Sequence, residues 1–144
     1  TTLVCLWVGA RQVDLVHVGD SRAYRFREGS LEQVTSDHTV LRYLLEEGEV
    51  ELGSPEAKQV GHILTQAIGL EHVLEPEVLR FTYRPGDIFL LCSDGLSDMV
   101  NDETIAHIIA DTCSNYEEAS QALVQAALDA GGVDNVTVVL AGRS

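Results

Sequence analysis

The apolar residues of this chain fall into short runs that end at Gly, Asp or Ser, a pattern typical of β-strands joined by turns. Residues 2–8 and 13–18 are two such runs at hairpin distance, and we expect both to be central strands. Residues 23–26 and 31–34 flank the turn sequence Arg-Glu-Gly-Ser at 27–30, which predicts a second hairpin. Four strands are therefore predicted before residue 35.

The middle of the chain changes from strand patterning to helix patterning. Ser36 or Asp37 can cap a short helix that Gly48 would end, because the apolar residues between them share one helical face. These residues are Val40, Leu41, Leu44 and Leu45. Residues 46–59 are acidic and polar, and the Gly-Ser-Pro sequence at 53–55 is expected to break any regular element. We interpret this stretch as a mobile surface excursion.

The second half of the chain predicts three more strands. In residues 78–83, Leu79, Phe81 and Tyr83 would lie on one face of a strand and Val78, Arg80 and Thr82 on the other. This alternation indicates a half-exposed strand. Residues 88–92 are five consecutive apolar residues after a Pro-Gly turn, which indicates a buried strand. Residues 136–141 are expected to form a last buried strand.

Two helices are predicted between the last two strands. Asn101 or Asp102 can cap the first of them. The second begins at Ser114 or Asn115 and runs to Ala130, with apolar residues at the i, i+3, i+4, i+7 spacing of a helix packed on a flat surface. Its apolar residues are Ala119, Ala122, Leu123, Ala126 and Ala127.

Three aspartates lie at the ends of predicted buried strands. Asp94 follows the run at 88–92, Asp20 follows the run at 13–18, and Asp134 precedes the last strand. If the last strand is antiparallel to the other two, all three carboxylates can converge at one edge. Two unpaired charges about 4 Å apart repel by about 4 kcal/mol at an effective dielectric of 20. We therefore expect a cation there, and carboxylate ligation favours Mg²⁺, Mn²⁺ or Ca²⁺ over Zn²⁺.

These patterns have simpler interpretations. An isolated Ser-Asp-Gly can be only a turn. An EF-hand calcium loop at residues 94–103 fails on spacing, because the glycine falls at the second position instead of the sixth. No serine has the Gly-x-Ser-x-Gly context of a nucleophile. The histidines lack ligand-like spacing, and we expect structural or surface roles for all of them. They are His17, His38, His62, His72 and His107.

Composition narrows the classes of function and of compartment. The formal net charge of −14 argues against nucleic acid and against anionic membrane surfaces as partners. The three cysteines are odd in number and widely spaced, so we expect reduced structural thiols, and no apolar run approaches the ~18 residues of a membrane span. These features favour the cytoplasm. The chain has the length of one domain, but it begins with Thr1 and its one Met is Met99, so we expect it to be a fragment.

Four motifs carry a resemblance to a known family. They read Val-Gly-Asp-Ser-Arg-Ala-Tyr at 18–24, Leu-Thr-Gln-Ala-Ile-Gly at 64–69, Leu-Cys-Ser-Asp-Gly-Leu-Ser-Asp at 91–98 and Asp-Asn-Val-Thr at 134–137. In this order and spacing the chain resembles the C-terminal part of a bacterial metal-dependent serine/threonine protein phosphatase of type 2C. The resemblance implies an α+β fold, a sandwich of two antiparallel sheets flanked by helices in four layers, with the N-terminal part missing. It also implies a single partial phosphatase domain over residues 1–144, with a flap-like insertion at about 37–61 that influences substrate choice.

The resemblance further implies a site and its cofactors. Asp94 and Asp134 would bind the second metal of a binuclear Mn²⁺ or Mg²⁺ centre, and Asp20 would lie near a third, weaker metal that it shares with Asp94. The metals would activate a water that attacks phosphorus in line. The neighbouring residues expected to support the site are Gly19, Ser21, Arg22, Ser93, Gly95 and Asn135. For Arg22 itself we expect a structural ion pair with an acidic residue.

Two functions remain open at this point. The first is a phosphatase acting on phosphoserine and phosphothreonine proteins, with a cognate serine/threonine kinase as a candidate partner. In the family, a phosphate-binding Arg and an Asp-Gly-x-Gly-Gly segment that bridges both metals precede the first strand of this chain. We therefore expect the chain alone to hold half a site, without turnover, and to expose apolar sheet edges or faces. The alternative is a non-catalytic, phosphatase-like binding or regulatory module.

Overall fold

Two antiparallel β-sheets form the framework of the protein. The computed structural model describes residues 1–70 and 74–142, so His72 lies outside the described residues. The strands are β1 (Leu3–Val8), β2 (Gln12–Val18), β3 (Arg22–Arg27), β4 (Ser30–Gln33), β5 (Glu77–Thr82), β6 (Ile88–Cys92) and β7 (Val138–Gly142). One sheet has the order β1-β2-β5 and the other has the order β4-β3-β6-β7. The antiparallel α+β expectation is confirmed.

Both predicted hairpins are present, but two strands lie elsewhere than expected. Strand β1 pairs with β2, and β3 pairs with β4 around a turn in which Glu28 and Gly29 have positive φ angles of 50° and 84°. Strand β1 was predicted to be central, yet it is an edge strand of its sheet. Strand β7 was predicted to be buried, yet it is an edge strand whose residues are half-buried or exposed. A run of apolar residues alone does not distinguish an edge strand from a central one.

The four-stranded sheet is covered on both faces. Alternate residues of β6, such as Ile88 and Leu90, join the core formed with the helices that follow. Phe89 points the other way and meets Phe81 of the three-stranded sheet, with ring centroids 6.0 Å apart. The outer face of the three-stranded sheet is exposed, with Trp7 73% and Val78 66% accessible. The described residues therefore form a helix layer and two sheet layers, with one sheet face open that carries both apolar side chains and the Asp14–Arg80 ion pair.

Five helices connect the strands within the described residues. They are α1 (Val40–Glu46), α2 (Pro55–Val60), α3 (Asp94–Ser97), α4 (Asp102–Thr112) and α5 (Tyr116–Asp129). The side chains of Asn101 and Asn115 cap α4 and α5, and each was one of the two caps predicted for its helix. The buried residues of these two helices close the core over the four-stranded sheet, and they are Ile105, Ile109, Ala119, Leu123 and Ala127.

The segment at 37–61 is more regular than predicted. Its first helix is capped by Thr39, whose hydroxyl accepts from the Arg42 amide, and not by Ser36 or Asp37. The sequence at 53–55 was predicted to break regular structure, but Ser54 caps α2 and Pro55 occupies its first turn. A serine cap followed by proline is a favoured helix start, because the missing proline N–H would have had no partner there. 

The cysteines and the hydropathy pattern agree in part with expectation. Cys5, Cys92 and Cys113 are all free thiols, but only Cys92 is buried. Burial raises the pKa of the Cys92 thiol to about 12, so this thiol is protonated and unreactive at neutral pH. Among the described residues, no helix has the length and apolar character needed to cross a membrane.

Candidate functional site

Three strand ends meet at one end of the four-stranded sheet. Strand β3 is antiparallel to β6, and its first residue Arg22 pairs with Cys92, the last residue of β6. Strand β7 is also antiparallel to β6, and its first residue Val138 pairs with the same Cys92. The three aspartates predicted from the sequence flank these strand ends. The last strand is antiparallel to β6, as the predicted convergence required, but β2 belongs to the other sheet, and Asp20 lies at this end because it precedes β3.

The loop that carries Asp134 is fastened to the end of β6. The Ser93 hydroxyl donates to the Asn135 carbonyl at 3.1 Å and accepts from the Thr137 amide at 3.0 Å. The Ser93 amide donates to the Thr137 carbonyl at 3.1 Å. A Cβ atom added to Gly95 would lie 2.3 Å from the Asn135 carbonyl oxygen, so only glycine permits this approach. Ser93, Gly95 and Asn135 thus hold two acidic turns together.

The two carboxylates of these turns bind their own backbone. Asp94, which is half-buried, accepts from the Gly95 amide at 2.9 Å through Oδ1. Asp134 is exposed and accepts from the Asn135 amide at 2.6 Å, also through Oδ1. Each carboxylate therefore has one oxygen oriented by the chain and a second oxygen, Oδ2, for which the described residues show no hydrogen bond.

Asp20 lies in a turn with a constrained backbone. Gly19 has a φ of +104°, and a Cβ atom there would lie 2.4 Å from the Thr2 methyl group. The Thr2 and Ser21 hydroxyls are 2.9 Å apart, and the Gly19 amide donates to Nδ1 of His38 at 3.2 Å. These contacts explain why Gly19 and Ser21 accompany Asp20 in the motif.

Negative charge accumulates at this end of the sheet. Burial and then repulsion from Asp94 raise the pKa of Asp20 above its ordinary value. Asp98 behaves in the same way, since partial desolvation and then Asp94 raise its pKa, although its side chain keeps solvent contact. Asp37 and Asp134 add to these repulsions.

The sequence did not predict that Asp98 and Asp37 belong to the acidic site. Asp98 lies one helical turn after Asp94, and its amide donates to the Asp94 carbonyl at 2.8 Å. The spacing of four residues between two aspartates was the available signal. Asp37 is brought in by tertiary structure alone.

Arg22 makes the ion pair expected of it. Its Nε atom lies 3.0 Å from both oxygens of Asp37, and Nη2 lies 2.6 Å from Oδ2. Its Nη1 atom donates to the Tyr24 hydroxyl at 3.2 Å. Burial alone would lower the pKa of Arg22, yet the bonds to Asp37 raise it above its ordinary value. The guanidinium group of Arg22 is thus fixed by its bonds to Asp37 and Tyr24.

The donor set fits a hard divalent cation. Carboxylate oxygens are the preferred ligands of Mg²⁺ and Mn²⁺. Burial and then repulsion from Asp94 raise the pKa values of Asp20 and Asp98, and a bound cation would offset both effects. The aspartate oxygens do not form a preassembled cluster. Within residues 1–70 and 74–142, three metal-ligating side chains come within 4.8 Å of one another at His17, His38 and Glu77. A cation at the aspartates would have to draw them together.

Comparison with known proteins decides the family. The family model for protein phosphatase 2C matches residues 1–130. The chain belongs to the protein phosphatase 2C family. The two antiparallel sheets described above agree with this assignment.

Individual relatives agree in sequence and in fold. The serine/threonine protein phosphatase PstP of Mycobacterium tuberculosis is 39% identical over 141 residues, which are 98% of this chain and 27% of PstP. The serine/threonine phosphatase stp of Listeria welshimeri is 35% identical over 144 residues, which are 100% of this chain and 57% of stp. The crystal structure of the PstP catalytic domain in complex with two manganese ions superposes with a TM-score of 0.84 at 40% identity, covering 98% of this chain and 57% of that chain. The chain therefore spans less than two thirds of the length of these relatives.

Proposed function

We propose that the protein carrying this chain is a metal-dependent protein serine/threonine phosphatase. The observation that supports this most strongly is that three of the four sequence motifs and several carboxylates lie at strand ends of a chain that matches the type 2C family model. The relatives named as serine/threonine phosphatases, and the PstP domain that binds two manganese ions, point in the same direction. The proposed reaction is hydrolysis of a phosphomonoester on a serine or threonine side chain.

The aspartates are assigned separate roles in this proposal. Asp94 and Asp134 would bind the second Mn²⁺ or Mg²⁺ ion of a binuclear centre, and Asp20 together with Asp94 would bind a third, weaker ion. When bound, these ions supply an activated water and the positive charge that attracts a phosphate. The turn contacts of Ser93 and Gly95 set the separation of Asp94 from Asp134 and thereby the shape of the ligand set.

Substrate selection is proposed to involve the segment at 37–61. A cavity of about 540 Å³ lies between this segment and the four-stranded sheet, and the paired side chains of Arg22 and Asp37 line one part of it. Leu41, Leu45 and Arg42 line it on the side of helix α1. An apolar wall with a few charged groups is typical of ligand sites. We propose that it receives residues next to the phosphorylated side chain.

The proposed partners and compartment follow from the same reasoning. Phosphoserine and phosphothreonine proteins are the proposed substrates, and a cognate serine/threonine kinase in the cytoplasm is the proposed source of them. The net charge of −14 remains the argument against nucleic acid.

Hydrolysis of a phosphothreonine peptide by the whole protein tests this function. We expect turnover that requires Mn²⁺ or Mg²⁺, that a chelator abolishes, and that Asp94→Asn reduces at least about a hundredfold. Exposed Asp111, which lies on α4 away from the strand ends, provides the matched control Asp111→Asn. The 144-residue chain alone should bind metal without turnover. Hydrolysis that persists in Asp94→Asn would contradict the assignment, and peptide binding without any hydrolysis would favour a binding module.

A further inference from the structure

The proposed function does not use one group of metal-ligating side chains, which consists of His17, His38 and Glu77. Each offers one metal-ligating atom, and these atoms lie within 4.8 Å of one another. They come from strand β2, from the segment after β4 and from strand β5, so no spacing in the sequence predicts that they lie together. The sequence predicted structural or surface roles for both histidines.

His17 has an unsatisfied nitrogen in the interior. The residue is fully buried, and its Nδ1 atom lies 3.2 Å from Oε2 of Glu77. Its Nε2 atom has no hydrogen-bond partner among the described residues. A buried polar atom without a partner is unfavourable, because water has been removed and nothing replaces it. Binding of one metal by both His17 and Glu77 fits Nδ1 as the ligand atom of His17, because Nδ1 already lies 3.2 Å from Oε2 of Glu77, and the ring proton then resides on Nε2.

His38 supplies the second imidazole. Its ring centroid lies 4.8 Å from that of His17, with 40° between the planes. Burial, followed by the neighbouring His17, lowers the pKa of His38, which keeps this ring neutral and able to bind a metal at neutral pH. Glu77 also accepts from the Ser36 amide at 3.3 Å, and its side chain retains 24% exposure, which leaves a path to solvent.

We propose that His17, His38 and Glu77 form a second metal site, one that takes Zn²⁺ or a similar transition metal and is separate from the aspartates. Two imidazoles and one carboxylate are a donor set that suits Zn²⁺, whereas Mg²⁺ and Mn²⁺ prefer all-oxygen sites. Zinc bonds of about 2.0–2.2 Å place tetrahedral ligands about 3.4 Å apart. The 3.2 Å between Nδ1 of His17 and Oε2 of Glu77 already fits, and side-chain rotation has to close the separations of up to 4.8 Å by at most about 1.4 Å.

Zinc binding has one necessary consequence for the turn that carries Asp20. The Gly19 amide donates to Nδ1 of His38, which leaves the ring proton on Nε2. If Zn²⁺ binds Nε2, the proton moves to Nδ1, and if it binds Nδ1 it takes the lone pair itself. In both cases the Gly19 bond to His38 is lost. The zinc site is thus coupled, through the Gly19 amide, to the turn that carries Asp20.

Equilibrium dialysis with Zn²⁺ and absorption spectroscopy with Co²⁺ test the site without any assay of activity. The experiment uses the chain with Cys5→Ser and Cys113→Ser, because both thiols are exposed and bind zinc adventitiously. We expect one equivalent of Zn²⁺, a visible Co²⁺ spectrum of a four-coordinate nitrogen and oxygen site, and a shift of the Gly19 amide signal in NMR. His17→Gln and His38→Gln should each weaken binding at least about a hundredfold, more than loss of an outer-shell group does.

Matched controls distinguish this site from others. His62→Gln and His107→Gln change exposed histidines outside the cluster and should leave Zn²⁺ binding intact. Asp94→Asn should also leave it intact, so that failure of the phosphatase proposal and failure of the zinc proposal are separable. Unchanged binding in His17→Gln with native circular dichroism would overturn the proposal, as would the absence of any stoichiometric Zn²⁺. Glu77→Gln keeps the size of the side chain, and it provides a second test if a histidine variant does not fold.

Discussion

Replacing Gly95 by alanine probes the contact on which the acidic site depends. The added methyl group would lie 2.3 Å from the Asn135 carbonyl oxygen and 2.9 Å from its carbonyl carbon. Both are backbone atoms, so no side chain can rotate away, and the loop that carries Asp134 has to move by about 1 Å to reach ordinary contact distance. Overpacking of this kind costs about 1–3 kcal/mol. For a domain of this size each kcal/mol lowers Tm by about 3 °C.

Thermal unfolding and Mn²⁺ calorimetry measure the two effects of Gly95→Ala. We expect Tm to fall by about 3–9 °C and Mn²⁺ binding to weaken, because Asp134 moves away from Asp94. Gly61→Ala is the matched control, since its nearest atoms are 3.5 and 3.7 Å from the new methyl group and Gly61 has helical φ and ψ angles. The control should be neutral or slightly stabilising. Wild-type stability and wild-type Mn²⁺ affinity in Gly95→Ala would refute the reasoning.

Three further predictions concern hydrogen bonds near and far from the site. Asp87 is 1% exposed and accepts hydrogen bonds from Arg27 at 2.6 and 2.5 Å. Asp87→Asn should therefore lower the free energy of unfolding in urea by about 1.5–3 kcal/mol. The control Asp14→Asn changes an exposed ion pair and should lower it by less than about 1 kcal/mol. The hydrogen bonds from Arg27 lower the pKa of Asp87 below its ordinary 3.8, so this stabilisation is present above pH 3.8 and is lost as pH falls through the lowered pKa. The difference in unfolding free energy between wild type and Asp87→Asn should therefore shrink below about pH 4. A difference independent of pH would contradict the pairing. Ser93→Ala removes one hydroxyl that makes two bonds and should cost about 1–2 kcal/mol, and an unchanged unfolding midpoint would show that those bonds contribute nothing.

Much of the framework could be predicted because its signals are local. The strand at 88–92 was predicted with its observed bounds, since five apolar residues lie between a Pro-Gly turn and Ser93. The caps at Asn101 and Asn115 also follow from a side chain and its nearest backbone. The prediction for Asp94 and Asp134 depended only on where two strands end and begin and on their antiparallel direction. Asp20 reaches the same end for a different reason, because it precedes β3, while the strand before it belongs to the other sheet.

What could not be predicted depends on distant partners. The edge positions of β1 and β7 depend on which strands pair beside them, which apolar composition does not reveal. The Arg22 pair with Asp37 joins two residues fifteen positions apart, and the cluster of His17 with Glu77 joins residues sixty positions apart. Such contacts have no periodicity, and only the folded chain shows them.

Calorimetric titration of Mn²⁺ tests the central claim most directly, because it measures metal binding by the aspartates whether or not the protein turns over substrate. The account predicts that Asp94→Asn and Asp134→Asn weaken Mn²⁺ binding at least about tenfold and that Asp111→Asn leaves it unchanged. Equal Mn²⁺ affinity in wild type, Asp94→Asn and Asp134→Asn would contradict the claim that these strand ends form the metal site.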